Sequence, residues 1–271
     1  MNNTVKRTGV IGLGAMGLQM AKHMAAKGFA VAGYDLSADA NARAKAFGVA
    51  ICGSAAEVGA QAEVVIVMVA TDEQVREVVL ASGLLDRLAR GAVVCIASSA
   101  SPDLCREIAE TAAGRGIGVL DTPVVLGQEA ADNGTLTIYV GGEDAAFARA
   151  QPVLAAFGRE VLYLGGCGTG QIAKTINNLL LWACMSANFE ALSLAKKLGA
   201  DVPRLIAALG QGSGANWSLS RWGKGTGKWA EKDMDVALDL AQEARMPMPL
   251  AGLVDQLMKQ LNQEKMKALM G

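Results

Sequence analysis

Lys174, Asn177 and Asn178 stand at i, i+3 and i+4 of an otherwise apolar run, so a helix through them carries all three on one face. An ammonium on so apolar a helix is costly to desolvate unless it has partners or faces a cleft. Desolvation also lowers a lysine pKa, towards the range useful for proton transfer near neutrality. Spacing alone leaves two readings open: an acid/base lysine, or a lysine in the first helical turn whose head reaches solvent along its stem. The second set of chemistry-bearing residues is Gly12-Leu13-Gly14-Ala15-Met16-Gly17. A short apolar run, Thr8-Gly9-Val10-Ile11, precedes it; a helical run over 18–27 follows, then a second apolar run over 29–34 that stops at Asp35. Strand, glycine turn, helix, strand and terminal carboxylate make the βαβ unit that a dinucleotide site requires. Gly12 allows the tight turn, Gly14 lets the backbone approach a pyrophosphate, and Gly17 lets the helix pack close to the sheet. The helix N-terminus offers unpaired N–H groups to the phosphates.

Asp35 is placed to accept hydrogen bonds from an adenosine ribose and to repel a 2′-phosphate. Leu36, not an arginine, follows it, so NAD is expected over NADP, although Arg43 lies further on. A ribose-binding acid serves S-adenosylmethionine as well, so a methyltransferase stays open on this motif alone. His23 is the only histidine. A zinc site built from several histidines is therefore excluded, and His23 reads as a helix-surface or partly packed imidazole.

The elements that must position these residues alternate. Candidate strands cover 49–51, 64–69, 92–97, 118–120, 136–140 and 161–164, with helical runs at 72–80, 102–115 and 145–157. Continuous apolar strands separated by helices predict an α/β fold: a Rossmann-type doubly wound, mostly parallel sheet covered on both faces. Ligands of such sheets lie beyond the carboxyl ends of the strands. That puts Val69, Ala70, Thr71 and Ser99 near the cofactor, and Asp121 onward near its reactive end. Beyond the glycine cluster at 165–170 the β signals stop. One long helix is expected over 171–198, apolar nearly all round and therefore buried, and further helices over 202–209, 233–245 and 250–270. The reading is a dinucleotide-binding domain over 1–165 and an all-α substrate and dimerisation domain over 166–271.

With 271 residues, 25 Lys and Arg against 26 Asp and Glu, the chain can bury one large core or two modest ones and shows no nucleic-acid surface. Five cysteines without C-x-x-C spacing read as reduced thiols of a cytoplasmic protein. Lys6 and Arg7 before an apolar stretch imitate a secretory signal, but the glycine fingerprint explains that stretch better. The apolar run over 175–189 is too short to span a bilayer, so no membrane partner is expected.

Several ordered motifs resemble the β-hydroxyacid dehydrogenases, the group of 3-hydroxyisobutyrate dehydrogenase and tartronate semialdehyde reductase, related to 6-phosphogluconate dehydrogenase. They are Ile11 to Gly17, Ser98-Ser99-Ala100-Ser101-Pro102, Asp121-Thr122-Pro123-Val124 with Gly134-Thr135-Leu136, Gly168-Thr169-Gly170-Gln171-Ile172-Ala173-Lys174 with Asn177-Asn178, and Lys232-Asp233. The resemblance runs nearly end to end. It implies an NAD-dependent oxidoreductase that interconverts a 3-hydroxy acid and its carbonyl product. Lys174 would be the acid/base, Asn178 would fix the lysine or substrate, and Lys232 would close over the nicotinamide side. It also implies a homodimer or homotetramer. An imine reductase of related fold, or a non-catalytic NAD-binding protein, are the competing readings; retention of Lys174 speaks against both. One departure matters. Members of the family usually carry Ser-Gly-Gly after Asp-x-Pro-Val, where a hydroxyl and backbone N–H groups hold the substrate carboxylate. Here Val125, Leu126 and Gly127 stand there, which suggests a larger or more apolar substrate, or else a rearranged loop that binds the same carboxylate. Trp217, in a Gly-Ser-Gly-Ala-Asn-Trp segment, is a candidate for lining its pocket, against the commoner role of a tryptophan in a helical core.

Overall fold

The computed structural model describes residues 5–224 and 227–270. The chain divides by its contacts into two compact units, Met1–Lys174 and Thr175–Gly271.

The first unit opens with β1 (Arg7–Ile11), α1 (Ala15–Ala26), β2 (Ala30–Tyr34), α2 (Ala38–Lys45), β3 (Ala50–Ile51), α3 (Ala55–Gln61) and β4 (Val64–Val67). Then come α4 (Asp72–Arg76), running into a π turn at Glu77–Ala81, α5 (Leu84–Arg87), β5 (Val93–Ile96), α6 (Pro102–Ala113) and β6 (Gly118–Asp121). The sheet side ends with β7 (Val124–Val125), α7 (Gly127–Asp132), β8 (Leu136–Gly142), α8 (Asp144–Leu154) and β9 (Gly158–Tyr163). Strand order is β3-β2-β1-β4-β5-β6-β8-β7, with β9 also on β8. The strands β1 to β6 pair in parallel, and β8 runs antiparallel to β6 and β7. This is the mostly parallel, doubly wound sheet expected.

Apolar residues on both faces explain why the strands read as unbroken hydrophobic runs. Along β4, Val64 and Ile66 join one core cluster, and Val65 and Val67 join the other. Along β5, Val93 and Cys95 alternate with Val94 and Ile96 in the same way. Each Val or Ile so buried contributes about 1.5–3 kcal/mol. The run over 64–69 ends as a strand at Val67 because Ser98 Oγ accepts from the Val69 N–H at 2.8 Å, and Thr71 caps α4 by accepting from the Gln74 N–H. The short helices α2 and α3 were not expected. Ser37 and Ser54 cap them by accepting from Ala40 and Glu57, and such serines are their sequence signal.

The second unit is helical: most of α9 (Thr169–Lys197), α10 (Val202–Leu209), α11 (Trp217–Ser220), α12 (Ala230–Glu243), α13 (Pro249–Gln260) and α14 (Gln263–Ala268). The single helix expected over 250–270 is broken at Leu261, whose backbone is extended. Asn262 then caps α14 by accepting from the Lys265 N–H. The long helix also departs from the reading of a fully buried one. Ile176, Leu180, Leu194 and Leu198 are 51%, 60%, 59% and 77% exposed, an apolar stripe along one side. Its opposite side supplies Trp182, Met185 and Leu192 to the core of this unit, with Trp222 and Met258.

Two glycines of the turn after β1 are demanded by the fold and one is not. A Cβ on Gly12, where φ is +90°, would stand 2.2 Å from the Met68 carbonyl oxygen, and one on Gly17 would stand 1.9 Å from that of Gly12. A Cβ on Gly14 meets nothing within 4 Å, and its φ of −67° suits any residue. Gly17→Ala is therefore expected to destabilise the protein by about 3 kcal/mol or more, and Gly14→Ala by less than about 1 kcal/mol, in urea unfolding. Equal losses in the two variants would contradict this packing.

Candidate active site

The strand order reverses about β1 and β4, the switch point where doubly wound sheets hold their ligands. A cleft of about 730 Å³ opens there, with Gly12, Gly14, Asp35, Leu36, Val69 and Ala70 in its lining. Glu73, Gln74, Glu77, Val78 and Ser82, from α4 and the π turn, line it too. The helix α1 starts at this cleft. Gly14 is its N-cap, no side chain caps it, and its first turn holds no acid. Its first N–H groups are left for an outside acceptor. An uncapped helix start beside a glycine that the protein's own packing does not need fits a bound pyrophosphate. The residues present therefore fit a dinucleotide.

Asp35 closes the turn from the next strand. One of its oxygens accepts from the Leu13 N–H at 2.7 Å and the other from the Ser37 N–H at 2.8 Å. Asn41 brackets it further, accepting from the Asp35 N–H and donating to its carbonyl. Each carboxylate oxygen keeps a lone pair for a ribose hydroxyl. Leu13 itself is fully buried, so only its backbone faces the turn, while Met16 is partly buried against the sheet core and Ala15 is exposed. Leu36 is 89% exposed at the cleft mouth. Arg43 is exposed on α2 and is not part of the cleft lining. The acids Glu73 and Glu77 were missed as cleft residues. The Thr71 cap that directs α4 here was their only sequence signal.

The other candidate group sits at the ends of β5 and β6. The carboxylate of Asp121, fully buried, accepts from the Gly168 N–H at 2.7 Å and the Gln171 N–H at 2.8 Å. The Gln171 side chain donates to the Ser98 carbonyl at 2.8 Å and accepts from the Ala100 N–H at 3.2 Å. The start of α9 is thus fastened to both strand ends, and Lys174 follows one turn later. Its Nζ donates to the Val124 carbonyl at 2.9 Å. Ser99 is exposed beside this group. Asn178, on the next turn of α9 and 7% exposed, accepts from the Asn177 side chain at 3.1 Å.

Beyond Val124 the chain enters the segment that departs from the family pattern. Val125 is buried and Leu126 is half-buried against the sheet core. Leu126 adopts φ +81°, a left-handed conformation that costs a leucine about 1–2 kcal/mol. Gly127, at φ +72°, is exposed with open space around its Cα. The rear of α7 meets His23, whose Nε2 lies 3.0 Å from the Ala131 carbonyl and 3.1 Å from that of Asp132. His23 is therefore a packed, hydrogen-bonded side chain of α1.

In the second unit, Trp217 opens α11 at 46% exposure with the Arg221 guanidinium over its ring, whereas Trp182 and Trp222 are core. Lys232 is exposed in the first turn of α12, next to Asp233, which accepts from the Trp182 indole at 3.0 Å. Three of the thiols are poor nucleophiles. Burial pushes those of Cys95 and Cys105 far up, and burial together with Asp121 pushes that of Cys167 up to about 12. No helix among the described residues is long and apolar enough to cross a membrane.

Comparison with known proteins agrees with this geometry. Residues 7–165 match the NAD binding domain of 6-phosphogluconate dehydrogenase, and residues 168–269 match the NAD-binding domain of NADP-dependent 3-hydroxyisobutyrate dehydrogenase. The chain is 35% identical to the 3-hydroxyisobutyrate dehydrogenase of Pseudomonas aeruginosa, over 91% of this chain and 89% of that one. It is 32% identical to the 2-(hydroxymethyl)glutarate dehydrogenase of Eubacterium barkeri, over 95% and 89%. The structure of a Mycobacterium tuberculosis 3-hydroxyisobutyrate dehydrogenase with L-serine superposes with a TM-score of 0.89 at 27% identity, covering 99% of this chain and 100% of that one. The chain thus carries nicotinamide-dinucleotide-binding domains and belongs to the β-hydroxyacid dehydrogenase family of oxidoreductases, with 3-hydroxyisobutyrate dehydrogenase among its relatives.

Proposed function

We propose that this protein is an NAD-dependent dehydrogenase that interconverts a 3-hydroxy acid and its carbonyl product, with Lys174 as the acid/base. The observation that carries the reading is the Lys174 amine, held at the Val124 carbonyl beyond the carboxyl end of β6. When bound, the dinucleotide supplies the hydride acceptor. The chain's own work is positioning and proton transfer. Lys174 takes the substrate hydroxyl proton on oxidation. On reduction it returns the proton, and as an ammonium it offers positive charge where oxyanion charge gathers. Asn178 steadies the lysine or the substrate, and Lys232 and Trp217 are further contacts of the same reading. Residues 1–165 are assigned to the dinucleotide and 166–271 to substrate and self-association. The exposed stripe of Ile176, Leu180, Leu194 and Leu198 supports a homodimer or a larger homo-oligomer.

NAD, rather than NADP, is supported by three carboxylates in the cleft lining, Asp35, Glu73 and Glu77, with no lysine or arginine in that lining. A 2′-phosphate would meet only negative charge there. For the substrate, Val125 and Leu126 support one bulkier or more apolar than 3-hydroxyisobutyrate. The relative named for 2-(hydroxymethyl)glutarate illustrates how far substrates range among similar chains. At position 126 a leucine adopts the left-handed backbone that glycine takes freely, and a side chain stands where glycine would leave none.

Lys174→Ala is expected to lower turnover about a hundredfold or more with NAD affinity nearly intact. Turnover at the parent level, followed as NADH formation, would remove the lysine from the mechanism. Asp35→Ala should weaken NAD by about tenfold and narrow its lead over NADP, and a parent enzyme that already prefers NADP would overturn the cofactor assignment. Leu126→Gly should raise kcat/KM for small polar hydroxyacids relative to bulky ones by about tenfold, within the usual reach of a pocket change. An unchanged ratio across a size-graded panel would show that Leu126 does not set the substrate.

A further inference from the structure

We propose that Asp121 is a positioning residue of the reaction: its buried carboxylate sets the start of α9 and thereby delivers the Lys174 amine to the Val124 carbonyl. The proposal rests on the reading of Lys174 as the acid/base, and it assigns a role to an acid that no part of that reading uses. Asp121 ends β6 and is fully buried, so its charge must be compensated. Two backbone donors compensate it, the Gly168 N–H at 2.7 Å and the Gln171 N–H at 2.8 Å, both among those that α9 cannot satisfy within itself. This is a helix cap supplied by a neighbouring strand instead of by the helix's own N-cap residue. The Cys167 thiol is a third neighbour of the same carboxylate.

The surrounding glycines fit the same purpose. A Cβ on Gly141 would stand 2.5 Å from one Asp121 oxygen, and a Cβ on Gly170 would stand 2.8 Å from the other. The carboxylate helps keep both positions bare, together with the Gly166 carbonyl and Thr169 hydroxyl at Gly141 and the Asp121 and Tyr139 carbonyls at Gly170. The consequence for chemistry follows from the helix geometry. Gln171 and Lys174 are one turn apart, so a rigid bond at the first fixes the rotation and height of α9 at the second. Val124 lies three residues beyond Asp121 on the same strand exit. The amine is therefore located twice against one short segment, through Asp121 and through the Val124 carbonyl. A lysine on a fraying helix end would spend its time in solvent, and the Asp121 contacts prevent that fraying.

The test uses the full-length protein and needs no knowledge of the substrate. Asp121→Asn keeps the shape but turns one acceptor into a donor. Acetic anhydride labelling of Lys174, read by mass spectrometry at pH 8, reports whether its amine has left the Val124 carbonyl. Labelling should rise about tenfold, the loss of one hydrogen bond to a charged donor. Hydrogen exchange should rise over residues 166–175, and hydrogen exchange elsewhere in the first unit and NAD affinity should stay at parent values. Gly170→Ala, which crowds the same carboxylate without removing its charge, should raise Lys174 labelling in the same direction and serves if the asparagine variant does not fold. The proposal fails if the helix start loosens while Lys174 labels as in the parent, which would make Asp121 a cap and nothing more. It fails equally if exchange rises throughout the first unit, the mark of a general structural role. Loss of the acid/base reading alone, through an active Lys174→Ala, would leave these labelling results unaffected and so be told apart.

Discussion

In the proposed mechanism, the fastening of one helix start to two strand ends is the constraint on which the chemistry depends. Asp121 at the end of β6 and the Ser98–Ala100 backbone after β5 hold the first turn of α9 through the Gly168 and Gln171 amides and the Gln171 side chain. Buried charge-assisted bonds of this kind are each worth more than an ordinary backbone bond, and they are exposed to little competition from water. They convert a flexible side chain, Lys174, into a group with an address. The carboxyl end of β1, on the same side of the sheet, shows the complementary device. The turn after β1 leaves the start of α1 uncapped and bare at Gly14, its first N–H groups open to an outside acceptor.

These two helix starts differ in what the sequence discloses about them. The glycine turn was legible because every part of it is local: strand, turn, helix and Asp35 lie within one βαβ stretch, and each residue type has its own steric reason. Lys174 was legible as a charge on an apolar face, with its role resting on the resemblance. Asp121 was visible as part of a motif but its task was not, because its partners at Gly168 and Gln171 are distant along the chain and are backbone groups, which no side-chain pattern announces. The cleft acids Glu73 and Glu77 were hidden for the same reason, since only the fold brings α4 beside Asp35. Periodicity likewise placed most strands and the long helix. It missed the break at Leu261 and the exposed stripe on α9, because an apolar residue reads alike whether it meets a core or solvent.

Leu126 is the point where local preference and tertiary structure disagree most openly. A leucine is held in a left-handed conformation, and the apolar contact its side chain makes with the sheet core offsets the backbone strain. The strained residue lies two positions past the Val124 carbonyl that receives the lysine, and an exposed glycine follows it.

The most direct test of the central claim is a crystal structure of the protein with NAD and a hydroxyacid substrate or its inert analogue. The account requires the Lys174 Nζ within hydrogen-bond reach, about 3 Å, of the substrate hydroxyl oxygen, on the side of the alcohol carbon that the nicotinamide ring faces. A complex in which that amine points into solvent, with the alcohol carbon approached by some other acid or base, would contradict it.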